Sequence, residues 1–524
     1  MQMKAYLKDD GLLLEEPLPP VESDAHRLFL NFGCVNVTVS TGEAGSAVSE
    51  SPLIKFKDIL WAQPCKTGIH NELEISYVRK LGDRLVTCTS VLTVYSLDSE
   101  PQKREGTEDT LCNNNSATAT KVSDESTIFL SEKILERSYP ESEPGRSIMV
   151  IINPHSGQGK ANKIYETKVE PILKAAQCKI TVARTAYSGN ASDIAENMNI
   201  DKYDMILCAS GDGIPHEVIN GIYRREDRAR AFDKLIITQT PSGSGNAMSL
   251  SCLGTLEPSH ATLELLKAAT VRNDLMAVCT QDADVKLSFL SQTYGIIAQA
   301  DIGTEFMRWV GQERFLLGVC YQVLSKSKYP CRIAVKYIAR TKTELSQYYK
   351  KHLNDLPDFS PLSEEDFKLK YADKFIGLED AEDLSLLPDW EPLDEVVCSN
   401  MGIFYSGKMP YISKDTNFFP AALPNDGSID VVVTDVRSGI SKTVDELLSL
   451  DKGLHVWKDD VAHIKVEAFR VIPLPGPNDR NFISVDGENF KLRPFQVEIL
   501  KGIMKTVMSG GCYTETGFLE QTKD

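Results

Sequence analysis

The stretch "SGDGIPHEVINGI", residues 210–222, follows the apolar run "YDMILCA" and sets a single carboxylate, Asp212, between two glycines. Two further glycine-rich turns stand after apolar runs, "NPHSGQGKA" at 153–161 and "TPSGSGNA" at 240–247. Where a strand ends and a helix begins, backbone N–H groups point outward and the helix dipole favours negative charge. Three such turns on one sheet edge would form one cleft for a phosphate-bearing ligand, because plain turns rarely need glycine at every strand end. Phosphoryl transfer needs positioning, charge neutralisation and an acceptor for the proton of the attacking hydroxyl. A carboxylate among the glycines could take that proton and face a phosphate-bound Mg²⁺. Alone, Asp212 would read as an Asx-turn or helix-capping residue. The first loop is not a Walker A loop, since Ala161 follows Lys160 where Ser or Thr is required, and it lacks the dinucleotide GxGxxG spacing.

The elements that would carry these turns read as an α/β pattern. "RSIMVIINP", "KITVART", "YDMILCAS" and "DKLIITQTP" are buried-strand runs, and helical spacing separates them. The fold class expected is therefore α/β: a doubly wound parallel sheet over 145–275, with ligands at the strand C-ends. From about residue 276 to 510, short strands such as "RIAVKYIA", "GSIDVVVTD" and "NFISVDGENF" predict a β-sandwich lobe. Residues 341–395 are acidic and proline-containing and read as a partly mobile insertion, and "TEFMRWVGQERFLLGVCYQVLS" reads as a helix. Residues 1–96 alternate as a small β-rich region, possible to read as pleckstrin-homology-like, and 97–126 are polar enough for a flexible linker.

Composition bounds the function classes. The net charge of −17 argues against a nucleic-acid partner, whose affinity would come from a basic footprint. Cysteines such as Cys34, Cys88, Cys178, Cys208, Cys279 and Cys398 are scattered, with no CxxC pair, and are expected as free thiols of a reducing cytosol, with no secretory signal ahead of them. No run reaches the roughly 18 apolar residues of a transmembrane helix, so membrane contact would be peripheral.

The motifs "NPHSGQGKA", "SGDGIPHEVINGI", "TPSGSGNA", "FPAALPNDGSIDVVV" and "VDGENF" occur in an order that resembles the diacylglycerol-kinase-like lipid kinases, and within them the sphingosine (long-chain base) kinases. The resemblance covers roughly 145–505 and implies two lobes, a nucleotide domain and a β-sandwich domain, with the site between them. It implies ATP contacts at Asn153, Pro154 and His155, at Thr185, Ala186, Tyr187, Ser188 and Gly189, at Glu217, and at Gly243, Ser244 and Gly245. The family often carries basic residues in the second of these segments, and "TAYSG" has none. Ser210, Gly211, Asp212 and Gly213 match the substrate and catalytic turn, with Asp212 as proton acceptor. Asp486, Gly487 and Glu488 match a late turn that contacts ATP or its Mg²⁺. Asp301 matches the carboxylate that meets the sphingoid head group, and Arg308 and Arg314 the arginines on the ATP phosphates. The chemistry agrees: a sphingoid base carries an amine that a carboxylate can pair, and the arginine fork binds phosphate oxygens bidentately.

Phe306, Trp309, Phe315 and Leu316 would line an acyl-chain pocket or belong to plain core. His216 reads only as a helix-start residue. ATP and Mg²⁺ are the expected co-substrate and metal. A sphingoid base, a membrane surface touched peripherally from the cytoplasm and a second copy of the chain are the expected partners. The rivals are a diacylglycerol or ceramide kinase, an inactive lipid-binding scaffold recruited through 1–145, and a nicotinamide oxidoreductase. Asp301 speaks against the first, Asp212 and its loops against the second, and the missing GxGxxG against the third.

Overall fold

Met205–Ser210 and Ile236–Pro241 are buried at every position, as strands covered on both faces must be. A computed structural model shows how the rest is arranged around them. It describes residues 2–7, 10–15, 35–40, 53–65, 72–96, 120–121, 124–281, 285–304, 313–375, 384, 389–474 and 482–521. The chain divides into two compact units, Met1–Gly145 with Glu170–Lys179, and Arg146–Val169 with Ile180–Asp524.

In the first unit, strands Gln2–Leu7, Gly11–Glu15, Val35–Ser40, Leu53–Lys55, Ile59–Pro64, Glu72–Leu81 and Arg84–Ser96 form an antiparallel sheet. The helix Asp124–Ser138 brings Ile134 into a core with Ile59, Leu73 and Ile75. Part of the expected linker is therefore ordered. Thr120–Lys121 pairs with Arg84–Ser96, and the helix starts inside the polar stretch because Leu130 and Ile134, one turn apart, and Leu135 pack on the sheet beyond it.

In the second unit, β1 (Ser147–Ile152), β2 (Lys179–Arg184), β3 (Met205–Ser210) and β4 (Ile236–Pro241) lie in the order β2-β1-β3-β4. The β3 strand pairs in parallel with both β1 and β4. Three helices matter to the site: α1 (Asn190–Asn197), α2 (Gly213–Tyr223) and α3 (Ala247–Leu253). Beyond β4 the strands are antiparallel. Those that matter here are β5 (Ala269–Thr280), β6 (Ser291–Gly295), β7 (Cys331–Ala339), β8 (Met401–Gly407), β9 (Ile429–Asp435), β10 (Val461–Pro473), β11 (Ile483–Val485), β12 (Glu488–Phe490) and β13 (Phe495–Met508). Val278, Tyr294, Ile333, Phe404, Val432, Phe469 and Phe495 share one apolar core there.

Both expected sheet types are present, but they are hydrogen-bonded into one sheet. The last strand, β13, pairs in parallel with β4 at Ile236 and Lys505, and antiparallel with β5 and β10. The boundary expected between 275 and 276 falls inside the continuous strand β5, so the two lobes are one compact unit. The sequence pattern could not reveal that a C-terminal strand returns to the N-terminal sheet.

The motif "FPAALPNDGSIDVVV" builds a buried ionic cluster in this unit. Lys408 pairs with Asp274 at 2.8 Å and Asp426 at 2.5 Å, Lys465 with Asp430 at 2.7 Å, and His463 meets Asp430 at 2.7 Å. Burial pushes the Asp426 carboxyl up, but the two ammonium groups outweigh it and hold it below its ordinary value. The insertion is anchored where it is described. Helix Lys342–His352 is capped by Thr341, Phe367 is buried, and the Tyr371 N–H donates to the Glu498 carboxylate. Tyr371 also stacks edge-on against buried Trp390, with ring centroids 5.1 Å apart.

Candidate active site

The three glycine turns meet backbone to backbone at the ends of β1, β3 and β4. The Gly211 N–H donates to Ser156 Oγ (3.2 Å), and the Ser242 N–H to the Ser210 carbonyl (3.3 Å). A methyl group on Gly243 would lie 2.3 Å from Gly211 Cα, and one on Gly157 2.3 Å from the Ser242 carbonyl oxygen. Here glycine is required by the close approach of main chains. In the first loop Gly157, Gln158 and Gly159 are successively left-handed, with φ of 58°, 59° and 79°. Asn153 ties that loop with its side-chain oxygen on the His155 N–H (3.0 Å) and its carbonyl on the Ser156 N–H (3.0 Å). Pro154 lies between them, and His155 is exposed. Asn246 closes the third turn through the Gly243 N–H and carbonyl, leaving Ser244 exposed at its crest.

Asp212 does not cap its own helix. Its Oδ2 accepts the Ala247 N–H (2.9 Å), and its Oδ1 accepts the Met248 N–H (3.3 Å) and the Gln239 amide (3.2 Å). The carboxylate thus sits on the N-terminus of α3, one loop away, and is 9% exposed. A carboxylate offers about four lone-pair sites, so Oδ2 keeps one. A methyl group on Gly245 would stand 2.9 Å from that oxygen. Burial raises the Asp212 carboxyl to about 6; the N–H groups of Ala247 and Met248 and the Gln239 amide pull down, and the Asp486 charge adds to the rise. A base with that value is mostly ionised at pH 7 and close to the operating pH, as proton transfer prefers.

The other expected nucleotide residues surround this point unevenly. The buried Thr185 N–H donates to the Ile152 carbonyl (2.9 Å), which brings Ala186, Tyr187, Ser188 and Gly189 beside the first loop. Glu217 holds that turn, accepting the Gly189 N–H (3.1 Å) and the Ala191 N–H (3.0 Å) at the start of α1. Its carboxylate is thus engaged by the loop itself. Tyr187 is exposed, with its hydroxyl on Asp193 (2.8 Å).

From the antiparallel part, the hairpin β11–β12 carries Asp486, Gly487 and Glu488 to the same place. The exposed Glu488 has Oε1 3.4 Å from where a Cβ on Gly213 would stand. Asp486 is buried, with His216 Nδ1 2.8 Å from its Oδ2. Asp301 ends the helix Ile296–Asp301, and its Oδ2 accepts from Ser484 (3.0 Å), two residues before Asp486. Tyr405 lies among all three aspartates: burial pushes its phenol up, and the charges of Asp301, Asp486 and Asp212 add to the rise.

Arg308, with Phe306 and Trp309, lies outside the described residues. Arg314 falls in the helix Glu313–Leu324, but its side chain and those of Phe315 and Leu316 are also outside them. Gln239, Asn246 and Tyr405 lie against the expected site residues and were not singled out in the sequence, and His216 was read there only as a helix-start residue. Only His216 carried a signal, one helical turn after Asp212.

The diacylglycerol kinase catalytic domain model matches residues 147–278. Sphingoid long chain base kinase 5 of Saccharomyces cerevisiae is 45% identical over 445 residues, covering 74% of this chain and 63% of that protein. Sphingoid long chain base kinase 4 of Schizosaccharomyces pombe is 32% identical over 479 residues, covering 91% of this chain and 93% of that protein. This chain belongs to the sphingoid long-chain base kinase family. A plant member of that diacylglycerol-kinase-like group, sphingosine kinase 1 of Arabidopsis thaliana, is 29% identical over 70% of this chain and 73% of its own length. The chain spans just under two thirds of the Saccharomyces relative.

Proposed function

We propose that the protein transfers the γ-phosphate of ATP to the primary hydroxyl of a sphingoid long-chain base. The observation that carries this reading is the Asp212 carboxylate, buried at the meeting point of three glycine turns with one lone pair of Oδ2 left to accept a proton. In the reaction, the three glycine turns, bare of side chains at Gly211, Gly243 and Gly157, let the triphosphate approach the main chain closely. Oδ2 takes the proton of the lipid hydroxyl as that oxygen attacks. Arg308 and Arg314, carried over by family resemblance, neutralise the phosphates.

Magnesium belongs to this reading. Among the described residues no group of three or more His, Cys, Asp or Glu converges as a metal cage. Mg²⁺ is usually held by substrate phosphates, water and one or two carboxylates. Asp212 and Glu488 are the acidic side chains that a phosphate-bound ion would face, and its charge would offset that developing on the phosphoryl oxygens.

Asp301 supplies the choice of lipid. Its carboxylate, placed by Ser484, pairs with the free amine of a sphingoid base, a cation that ceramide and diacylglycerol lack. Asp301→Asn is expected to raise KM for the base about tenfold or more while leaving KM for ATP within about threefold. An unchanged KM for the base would remove Asp301 from the head-group site. We place the protein at the cytoplasmic face of membranes as a peripheral enzyme. Its substrate in this reading is a lipid, which it would meet at a bilayer surface. The antiparallel sheet and closing helix of the first unit support a pleckstrin-homology-like reading of that region, testable by liposome binding of the full chain with and without substitutions there.

A further inference from the structure

The turn that matches the family's late nucleotide contact leaves Asp486 no room for a nucleotide. Asp486 is 4% exposed. Its Oδ1 accepts Ser288 Oγ (2.6 Å), the Ser291 N–H (2.9 Å) and the Leu290 N–H (3.1 Å). Its Oδ2 accepts the Phe289 N–H (3.1 Å) and meets His216 Nδ1 (2.8 Å). Five partners already meet or exceed the about four lone-pair sites of a carboxylate.

The partners tie together segments far apart in sequence. His216 Nε2 is 3.4 Å from the Asn220 amide nitrogen, which can only donate. Both hydrogens of that amide go elsewhere, to the His216 carbonyl (2.9 Å) and the Leu287 carbonyl (2.8 Å), so the direction at Asp486 follows from the carboxylate, which only accepts: His216 donates to it from Nδ1. Asn220 in turn clamps Leu287, donating to its carbonyl (2.8 Å) and accepting its N–H (2.9 Å). Asp212, His216 and Asn220 are spaced four apart, so one face of α2 carries the base, a bond to the turn and a clamp on the segment before β6. The turn itself has left-handed φ at Asp486 (51°) and Gly487 (83°); it joins β11, which pairs antiparallel with β6, to the three-residue strand β12 that carries Glu488 at the end of the sheet.

We infer that Asp486 is a positioning residue and not a ligand of ATP or magnesium: bonded to His216, it pins the 486–488 turn to the helix that begins at Asp212 and so holds Glu488 over Gly213. This inference rests on the kinase reading of the site for its kinetic consequence, though not for its structural one. Glu488 is the carboxylate of the turn that meets the nucleotide.

The experiment uses the full chain with His216→Ala, His216→Asn, Asp486→Asn, Glu488→Gln and the double variant His216→Ala/Asp486→Asn. Asn at 216 keeps a donor near the Nδ1 position. Without any substrate, amide exchange of the 483–490 segment is expected to quicken about tenfold in His216→Ala and to stay close to wild type in His216→Asn. Unchanged exchange in His216→Ala would overturn the inference. In steady-state phosphorylation of a sphingoid base, His216→Ala and Asp486→Asn are each expected to raise KM for ATP in the same direction as Glu488→Gln, and the double variant to be no worse than either. The inference fails if Asp486→Asn raises KM for ATP about tenfold with kcat kept while His216→Ala behaves as wild type, or if His216→Asn is as impaired as His216→Ala. A wild-type protein that labels no lipid would defeat the kinase reading, whereas the exchange measurement would still decide the role of the pair.

Discussion

At the residue scale the account turns on Asp212. General-base catalysis contributes about 10²–10⁴-fold, so Asp212→Asn is expected to lower kcat by that factor with ATP affinity nearly unchanged, read by single-turnover kinetics and nucleotide titration. The pH profile follows from the same group. Asp212 works only when ionised, and its carboxyl is raised to about 6, first by burial. Activity should therefore climb with unit slope as pH rises through about 6 and level off above; a limb near the ordinary carboxylate value would contradict the buried setting. Asp212 was legible in the sequence only through its company: alone it reads as an Asx-turn or helix-capping residue, but two further glycine-rich turns stand after apolar runs. Its partners were not. Gln239 looks like any polar residue in a strand, and Asp486 meets His216 across 270 positions. Such a pairing exists only once the chain has folded.

At the element scale, the turns are close-packed main chain. A Cβ on Gly243 would sit 2.3 Å from Gly211, and no side-chain rearrangement relieves a clash with backbone. Gly243→Ala should cost about 1–3 kcal/mol of stability as overpacking does and raise KM for ATP. Thermal melting and ATP titration together check this, and a variant with wild-type melting and affinity would show that the loops are looser than described. The strands β1, β3 and β4 were readable from their unbroken apolar runs, and the three turns from their glycines. The helix Asp124–Ser138 was hidden behind a polar stretch, and the anchoring of the insertion by Phe367, Tyr371 and Trp390 was hidden in an acidic segment. In both, a few spaced apolar residues outweigh the average composition.

At the scale of the whole molecule, β13 is the strand that joins the parallel and antiparallel parts of the second unit. It pairs with β4, β5 and β10, and the Gly502 N–H within it donates to buried Asp274 (2.7 Å). Truncation after residue 494 would strip hydrogen-bond partners from three strands and open the core around Phe469 and Phe495. The shortened chain is expected to lose its cooperative thermal transition, measured by calorimetry. A sharp transition in that chain would mean that the α/β part folds by itself. The alternation of strands and helices made the first half of this unit legible and the run of short strands the second, but nothing in a linear pattern marks a last strand as the neighbour of a much earlier one.

The central claim is that a base at Asp212 phosphorylates a free sphingoid amine-alcohol. The direct measurement is transfer of label from γ-labelled ATP to sphingosine, dihydrosphingosine, phytosphingosine, ceramide and diacylglycerol by the wild-type chain and by Asp212→Asn. The account predicts label on the free bases, little or none on ceramide and diacylglycerol, and loss of transfer in the variant. Equal labelling of ceramide or diacylglycerol, or near wild-type transfer by Asp212→Asn, would contradict it.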